Sequence, residues 1–204
     1  MAEDEQPDPA NGSLLLAIKD VYTISSRGVA AFGTIERGII RSIETVDIIG
    51  LNMDLKSVGT MGLEIGRKPV DEARAGDDVV VLLRAVRREA VRPGQVIASP
   101  GVEYAFARFE ADIELLAEEA GGRATPVTKG YKPFIRVRTA EVTGEIELPE
   151  GTEKVNPGAS ASVRIAIEPR VALSEDLVFE IAERDEATAE LRTVGRGVIT
   201  KPLV

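Results

Sequence analysis

Two clusters of cationic side chains are the first chemistry the sequence offers. Arg84, Arg87, Arg88 and Arg92 fall within nine residues, interleaved with Glu89. Lys129, Lys132, Arg136 and Arg138 lie around Tyr131 and Phe134, with Arg123 just upstream. Cations attract phosphates and aromatic rings stack on bases or riboses, so such clusters suit an RNA groove. The plain alternative is a solvated strand face on which each base pairs with a neighbouring Glu or Asp. Composition alone favours that alternative.

Most other chemistry is excluded. The chain has no histidine, cysteine or tryptophan, so Cys/His zinc sites, Ser-His-Asp triads, thiolate nucleophiles and disulfides all drop out. No G-x-x-x-x-G-K-[ST] phosphate loop occurs, nor a G-x-G-x-x-G between a strand and a helix. Gly195-Arg196-Gly197 falls inside an expected strand and reads as close backbone packing. Carboxylates are plentiful, yet no pair sits in an apolar context that would drive its members' pKa values apart. These absences predict a non-enzymatic protein without cofactor or metal. Asn11-Gly12-Ser13 fits a glycosylation sequon, but with no secretory signal it reads as flexible linker.

The 204 residues carry 25 Lys and Arg against 34 Asp and Glu, a net charge of −9. That balance disfavours a general nucleic-acid binder, DNA included, while leaving room for a local basic face. The opening MAEDEQPDPANGS holds Glu3, Asp4, Glu5 and Asp8 with no basic residue, as expected of a disordered acidic leader over residues 1–13. No run of ~18 apolar residues is present, which predicts a soluble cytoplasmic chain with no membrane partner.

The elements that must position these residues are short. LLLAI (14–18), VYTIS (21–25), VAAFGTI (29–35), TVDIIG (45–50) and DVVVLL (78–83) are strand-length runs bounded by turn residues. A second series comprises FARFEADIELL (106–116), FIRVRTAEV (134–142), GEIEL (144–148), SASVRIAIE (160–168), LVFEIAE (177–183) and LRTVGRGVIT (191–200). Period-two alternation places Asp47 opposite Val46 and Ile48, and puts Asp112, Glu114, Arg136 and Arg138 on solvated faces. Helix is expected only as one or two turns around Pro69–Ala75 and around Ala117–Ala120, the latter stopped by Gly121 and Gly122. Pro100-Gly101 marks a boundary. The expectation is an all-β chain of two tandem antiparallel barrels or sandwiches, residues 14–101 and 102–204.

One stretch after another resembles bacterial elongation factor Tu. The matching segments are DVYTISSRG (20–28), IERGII (35–40), ETVDIIG (44–50), RAGDDVVVLLR (74–84) and RPGQVIASPG (92–101). They continue with EEAGGRATP (118–126), KGYKP (129–133), RTAEVTGEIELPEGTEKVNPG (138–158) and RTVGRGVITK (192–201), in unbroken order. The resemblance implies the family's second and third domains without its GTPase domain, two six-stranded antiparallel barrels. It implies aminoacyl-tRNA as the partner, weakly held, with a GTPase domain supplied in trans as a second possible partner. In this family the second domain holds the aminoacylated 3′ end of tRNA. Asp20, Tyr22 (usually Phe), Arg27, Ile35, Glu64, Arg74 and Leu82 stand at or beside positions matching that pocket. An adenine needs an apolar sandwich, and Glu64 is suited to accept a hydrogen bond from ribose or base. In the third domain Arg123 and Thr143 match T-stem contacts.

The departures from the pattern cluster. Lys19 stands where the family has an acidic residue, Asp78 replaces Asn, and Phe32 replaces Thr, all where the aminoacyl group is normally held. Ala124 replaces His, Phe134 replaces Gln, Val127-Thr128 replaces Phe-Phe and Arg136 replaces Tyr. The hairpin ERDEATAEL (183–191) is enlarged and acidic. Such a surface-altered variant, divergent or redesigned, leaves two expectations open: a weakened tRNA module, or a scaffold that has lost tRNA binding.

Overall fold

The computed structural model describes residues 12–25, 28–185 and 188–204. All but the last two residues of the expected leader fall outside that range. The described chain is built from strands, and its only helical pieces are two short 3-10 turns. It falls into two compact units that divide between Tyr104 and Ala105.

The first unit holds β1 (Leu15–Ile24), β2 (Gly28–Arg37), β3 (Ile39–Arg41), β4 (Thr45–Ile49), β5 (Leu55–Ile65), β6 (Lys68–Val70), β7 (Glu72–Arg74), β8 (Asp78–Leu83) and β9 (Val96–Ala98). Its main sheet runs in the order β4-β9-β1-β2-β8-β5-β6, and β4 also pairs with β5. A separate ribbon joins β3 to β7. One face of each strand feeds a core that includes Leu16, Ile18, Ile35, Ile48, Leu63, Val81 and Ile97. Burying side chains of this size removes enough apolar surface from water to favour folding by ~1.5–3 kcal/mol each.

The second unit holds β10 (Ala105–Leu115), β11 (Val127–Thr128), β12 (Phe134–Val137), β13 (Ala140–Glu147), β14 (Lys154–Val155), β15 (Ser160–Ala172), β16 (Val178–Arg184) and β17 (Leu191–Leu203). Six of these close a barrel, β10-β15-β13-β12-β16-β17, while β11 and β14 pair apart. Phe109 and Phe179 meet edge to face at 5.3 Å inside it, a contact that adds to their area burial. A Cβ at Gly197 would lie 2.5 Å from the Phe179 ring, so the close packing read from Gly195-Arg196-Gly197 is real at its second glycine.

Several local expectations are corrected. The runs at 14–18 and 21–25 are one continuous strand, β1, whose pairing with β2 shifts register between Ile18 and Asp20. Lys19 is the extra residue of that β-bulge, which re-aims its side chain. Gly33 lies across from it, where a Cβ would fall 2.1 Å from the Ala17 carbonyl. The turn of helix expected around Pro69–Ala75 is instead β6 and β7. Pro69 is tolerated because β6 lies at the sheet edge, where its missing N–H breaks no ladder. The run 134–142 is two strands, and Arg138 sits in the turn between them at φ 53°. Strand β5 escaped the pattern because Gly59, Gly62 and the pair Lys56-Ser57 interrupt its alternation.

Asp47 is the sharpest correction. Alternation puts it on the solvated face, yet it is 3% exposed. Its carboxylate accepts the Ser57 and Gly101 N–H groups at 2.9 Å each and the Lys56 ammonium at 3.0 Å. Burial alone would raise its pKa; the two N–H donors and Lys56 together outweigh that and hold it below the ordinary 3.8. Asp47→Ala leaves two donors without partners and is expected to cost about 1–3 kcal/mol in urea denaturation at neutral pH. The stabilisation is complete above the unfolded carboxyl's pKa and declines as pH falls through the depressed folded value. The wild-type–variant difference should therefore shrink on acidification.

Candidate nucleic-acid interface

Antiparallel register gathers the candidate residues of the first unit into rows. Asp20 pairs with Phe32, Phe32 with Val80, and Val80 with Glu64. Beside this row runs a second: Tyr22 with Ala30, Ala30 with Leu82, and Leu82 with Gly62. Residues opposite one another, and residues two apart along a strand, share a sheet face. Asp20, Tyr22, Leu82 and Glu64 therefore stand together on the outer face of β1, β2, β8 and β5, around a floor containing Phe32 and Val80.

The electrostatics agree with the register. The Tyr22 phenol pKa is raised, first by burial and then by the negative charges of Asp20 and Glu64. The hydroxyl thus stays neutral and able to donate. One Asp20 oxygen accepts the Val21 N–H at 2.7 Å. On the other flank of the floor, Asp78 accepts the Thr34 hydroxyl and the Lys19 ammonium, the latter at 3.0 Å. Those two hydrogen bonds, Thr34's the larger, hold the Asp78 carboxyl below its usual range. The Lys19 ammonium also lies 5.8 Å from the Phe32 ring centre.

Two expected pocket residues do not join this face. Ile35 is 1% exposed and belongs to the core, so its side chain points away from any ligand there. Arg74 lies on the β3–β7 ribbon, and its guanidinium is held by Glu72 at 2.8 and 3.0 Å. Arg27 lies outside the described residues. Leu82 shares the face but is only 7% exposed. Val80 and Ala30 were not singled out from the sequence, although Val80 has the same parity as Asp78 and Leu82 within DVVVLL.

In the second unit Thr143 pairs with Phe134, which pairs with Ala182. Next to Ala182 is Glu183, the carboxylate that ion-pairs with Arg123. The Arg123 guanidinium also donates to the Thr125 carbonyl and hydroxyl, both at 3.0 Å, and stacks 4.4 Å from the Tyr131 ring centre. Tyr131 donates its hydroxyl to the same Glu183 oxygen at 2.6 Å. The Thr143 hydroxyl donates to the Glu168 carbonyl. Other members of the basic cluster are paired as well: Lys132 with Glu145 at 3.2 Å, and Arg136 with Glu141 at 3.2 Å and Glu180 at 3.7 Å. This is the ion-paired surface that composition favoured. The Arg84 cluster is more open. Arg88 and Arg92 donate to the Val91 and Glu89 carbonyls, while Arg84 and Arg87 line a cavity of about 580 Å³ with Lys56.

The family model for elongation factor Tu domain 2 matches residues 28–98, and that for the elongation factor Tu C-terminal domain matches residues 103–202. The chain belongs to the elongation factor Tu family. Its two matched segments are the factor's β-structured second and third domains, as the resemblance implied. Among the described residues of this elongation factor Tu relative, no group of three or more His, Cys, Asp or Glu is placed to hold a metal ion. No helix among them is long and apolar enough to cross a membrane.

Burial pushes the Tyr131 phenol up to about 12, against a smaller opposing pull from Arg123 and then Arg192. An ultraviolet titration of the three tyrosines should show one phenol ionising near 12, and Tyr131→Phe should remove that step. The unfolded phenol ionises near 10. The neutral ring's stabilising contribution is therefore present below 10 and lost as pH rises toward 12.

Proposed function

We propose that this chain is a non-catalytic tandem β-barrel module of the translation elongation machinery, residues 14–101 and 102–204. Its first unit binds the 3′-terminal adenosine of aminoacyl-tRNA, and its second contacts the T stem. The reading takes the first unit as a second six-stranded barrel. Its support is the strand order β4-β9-β1-β2-β8-β5, which returns to β4 through the β4–β5 pairing.

The observation that carries the reading is the outer face of the first unit. A partly exposed apolar floor at Phe32 and Val80 offers a surface for a base. Asp20 and Glu64 at either end of the same row offer acceptors for sugar hydroxyls or a base amino group, and Tyr22 adds a neutral hydroxyl. Stacking on such a floor is worth about 1–3 kcal/mol per base. The module needs no cofactor and performs no chemistry; a GTPase domain supplied in trans would add contacts and effective concentration. It works in the cytoplasm, where charged tRNA circulates.

Affinity is weak. Arg123, the T-stem candidate with a full charge, is ion-paired with Glu183 and only 15% exposed at its side chain. A phosphate must displace that carboxylate to reach it. The same pair favours a second reading, an interaction scaffold in which RNA binding has been lost.

Titration with aminoacyl-tRNA and deacylated tRNA at several salt concentrations separates the two. The module reading predicts saturable binding that falls with salt and weakens at least about tenfold in Glu64→Ala, the loss of one charge-assisted hydrogen bond. Flat curves at every salt concentration support the scaffold.

A further inference from the structure

A cavity of about 580 Å³ lies where the start of β5 meets the chain just past β8, at the opposite end of β5 from Glu64. That volume is within the ~300–1,000 Å³ range of small-molecule sites. Leu55, Val58 and Val86 line it with apolar surface. Val58 is part of the first unit's core, and Leu55 and Val86 are half-buried against that core.

Three cations, Lys56, Arg84 and Arg87, line the same cavity. Elsewhere Arg123, Arg136, Arg164 and Arg196 are held by carboxylates, but among the described residues neither Arg84 nor Arg87 is ion-paired. The stem of Arg84 lies across Gly59, where a Cβ would be 3.7 Å from both its Cβ and its Cδ. Ala85, between the two arginines, is held at φ 54°, a left-handed conformation rare for alanine and recurrent at ligand sites. Lys56 donates to Asp47 at 3.0 Å, yet its side chain is 52% exposed and an ammonium has three donors. Asp54, the carboxylate in the lining, is engaged by the turn before β5, where it accepts the Gly50 N–H at 2.8 Å. On a chain with a net charge of −9, this is a locally cationic hollow with an apolar floor.

We infer that the cavity binds a small amphiphilic carboxylate, its acyl or aryl body on the Leu55–Val58–Val86 floor and its head group on Arg84 and Arg87. Simpler ligands use only half of the site. A hydrophilic anion leaves the floor in contact with water, and a neutral apolar ligand leaves the guanidiniums without an acceptor. An RNA strand needs rings on which its bases stack, and among the described residues no aromatic ring lines this cavity.

Backbone amide shifts of the isotope-labelled full chain, recorded at neutral pH as octanoate is added, test the assignment. Octanoate, fully ionised there, should give saturable changes at residues 55–59 and 84–90. Acetate carries only the head group and 1-octanol only the chain, and each should bind at least about tenfold more weakly. The double variant Arg84→Gln, Arg87→Gln should weaken octanoate about tenfold and leave 1-octanol unchanged. Val86→Ser should weaken octanoate and leave acetate unchanged. The amide spectrum of each variant without ligand reports whether it is folded, and the exposed arginines are the substitutions the fold tolerates best. Octanoate binding no tighter than acetate, or no weaker in the arginine variant, overturns the inference. So does displacement of octanoate from these residues by the trinucleotide CCA at equal concentration, or the absence of saturable shifts at millimolar octanoate. Tyr22 and Glu64 take no part, so none of these results bears on the nucleoside reading of the outer face.

Discussion

Alternation of side chains across four neighbouring antiparallel strands, reset at three register shifts, is the constraint on which the rest depends. In β1, β2, β8 and β5, one set of residues fills the core while the other faces outward. A slip of one residue in any pairing would send its outer residues into the core and its core residues to the surface. The apolar demand of Leu16, Ile18, Ile35, Leu63 and Val81 therefore fixes where Tyr22, Phe32, Val80 and Glu64 must stand. The outer face is a consequence of how the inner one packs. Of the register shifts among these strands, between Leu15 and Leu16, Ile18 and Asp20, and Thr60 and Gly62, the one at Lys19 falls at the margin of that face and alters its charge without disturbing the core.

Electrostatics on the two units follow different plans. In the first, carboxylates at Asp20 and Glu64 flank an apolar floor, and the paired charges of Lys19 and Asp78 lie beside it. In the second, cations and carboxylates are matched closely around Tyr131 and Phe134. Exposed pairs of that kind contribute little to stability, but each engages a cation that would otherwise attract phosphate. The Arg123–Glu183 pair is less exposed than the rest and is shared with the Tyr131 hydroxyl, so removing Arg123 would leave a carboxylate short of its strongest partner.

Much of this was legible in the sequence. DVVVLL maps onto β8 residue for residue, and the strand runs on either side of Gly101 describe two separate sets of sheets. The family followed from ordered segment matches. What escaped depended on contacts distant in sequence. Asp47 looks solvated by parity, and only the arrival of Ser57, Gly101 and Lys56 makes its burial tolerable. Ile35 lies in a motif shared with the family, but the pocket role which the motif implies does not fit a side chain that faces the core. The bulge at Lys19 leaves no mark in composition, because it arises from the pairing of β1 with β2. Nothing near Arg123 in sequence names Glu183 as its partner, which the fold brings from sixty residues away.

The central claim is that the outer face of β1, β2, β8 and β5 receives the end of an RNA chain. Backbone amide shifts recorded while the trinucleotide CCA is added to the isotope-labelled protein test it most directly. The account predicts saturable changes concentrated at Asp20, Tyr22, Phe32, Val80 and Glu64, with the core-facing Ile35 and the second unit little affected. Shifts absent from that face, or confined to the Arg84–Arg87 cavity, would contradict it.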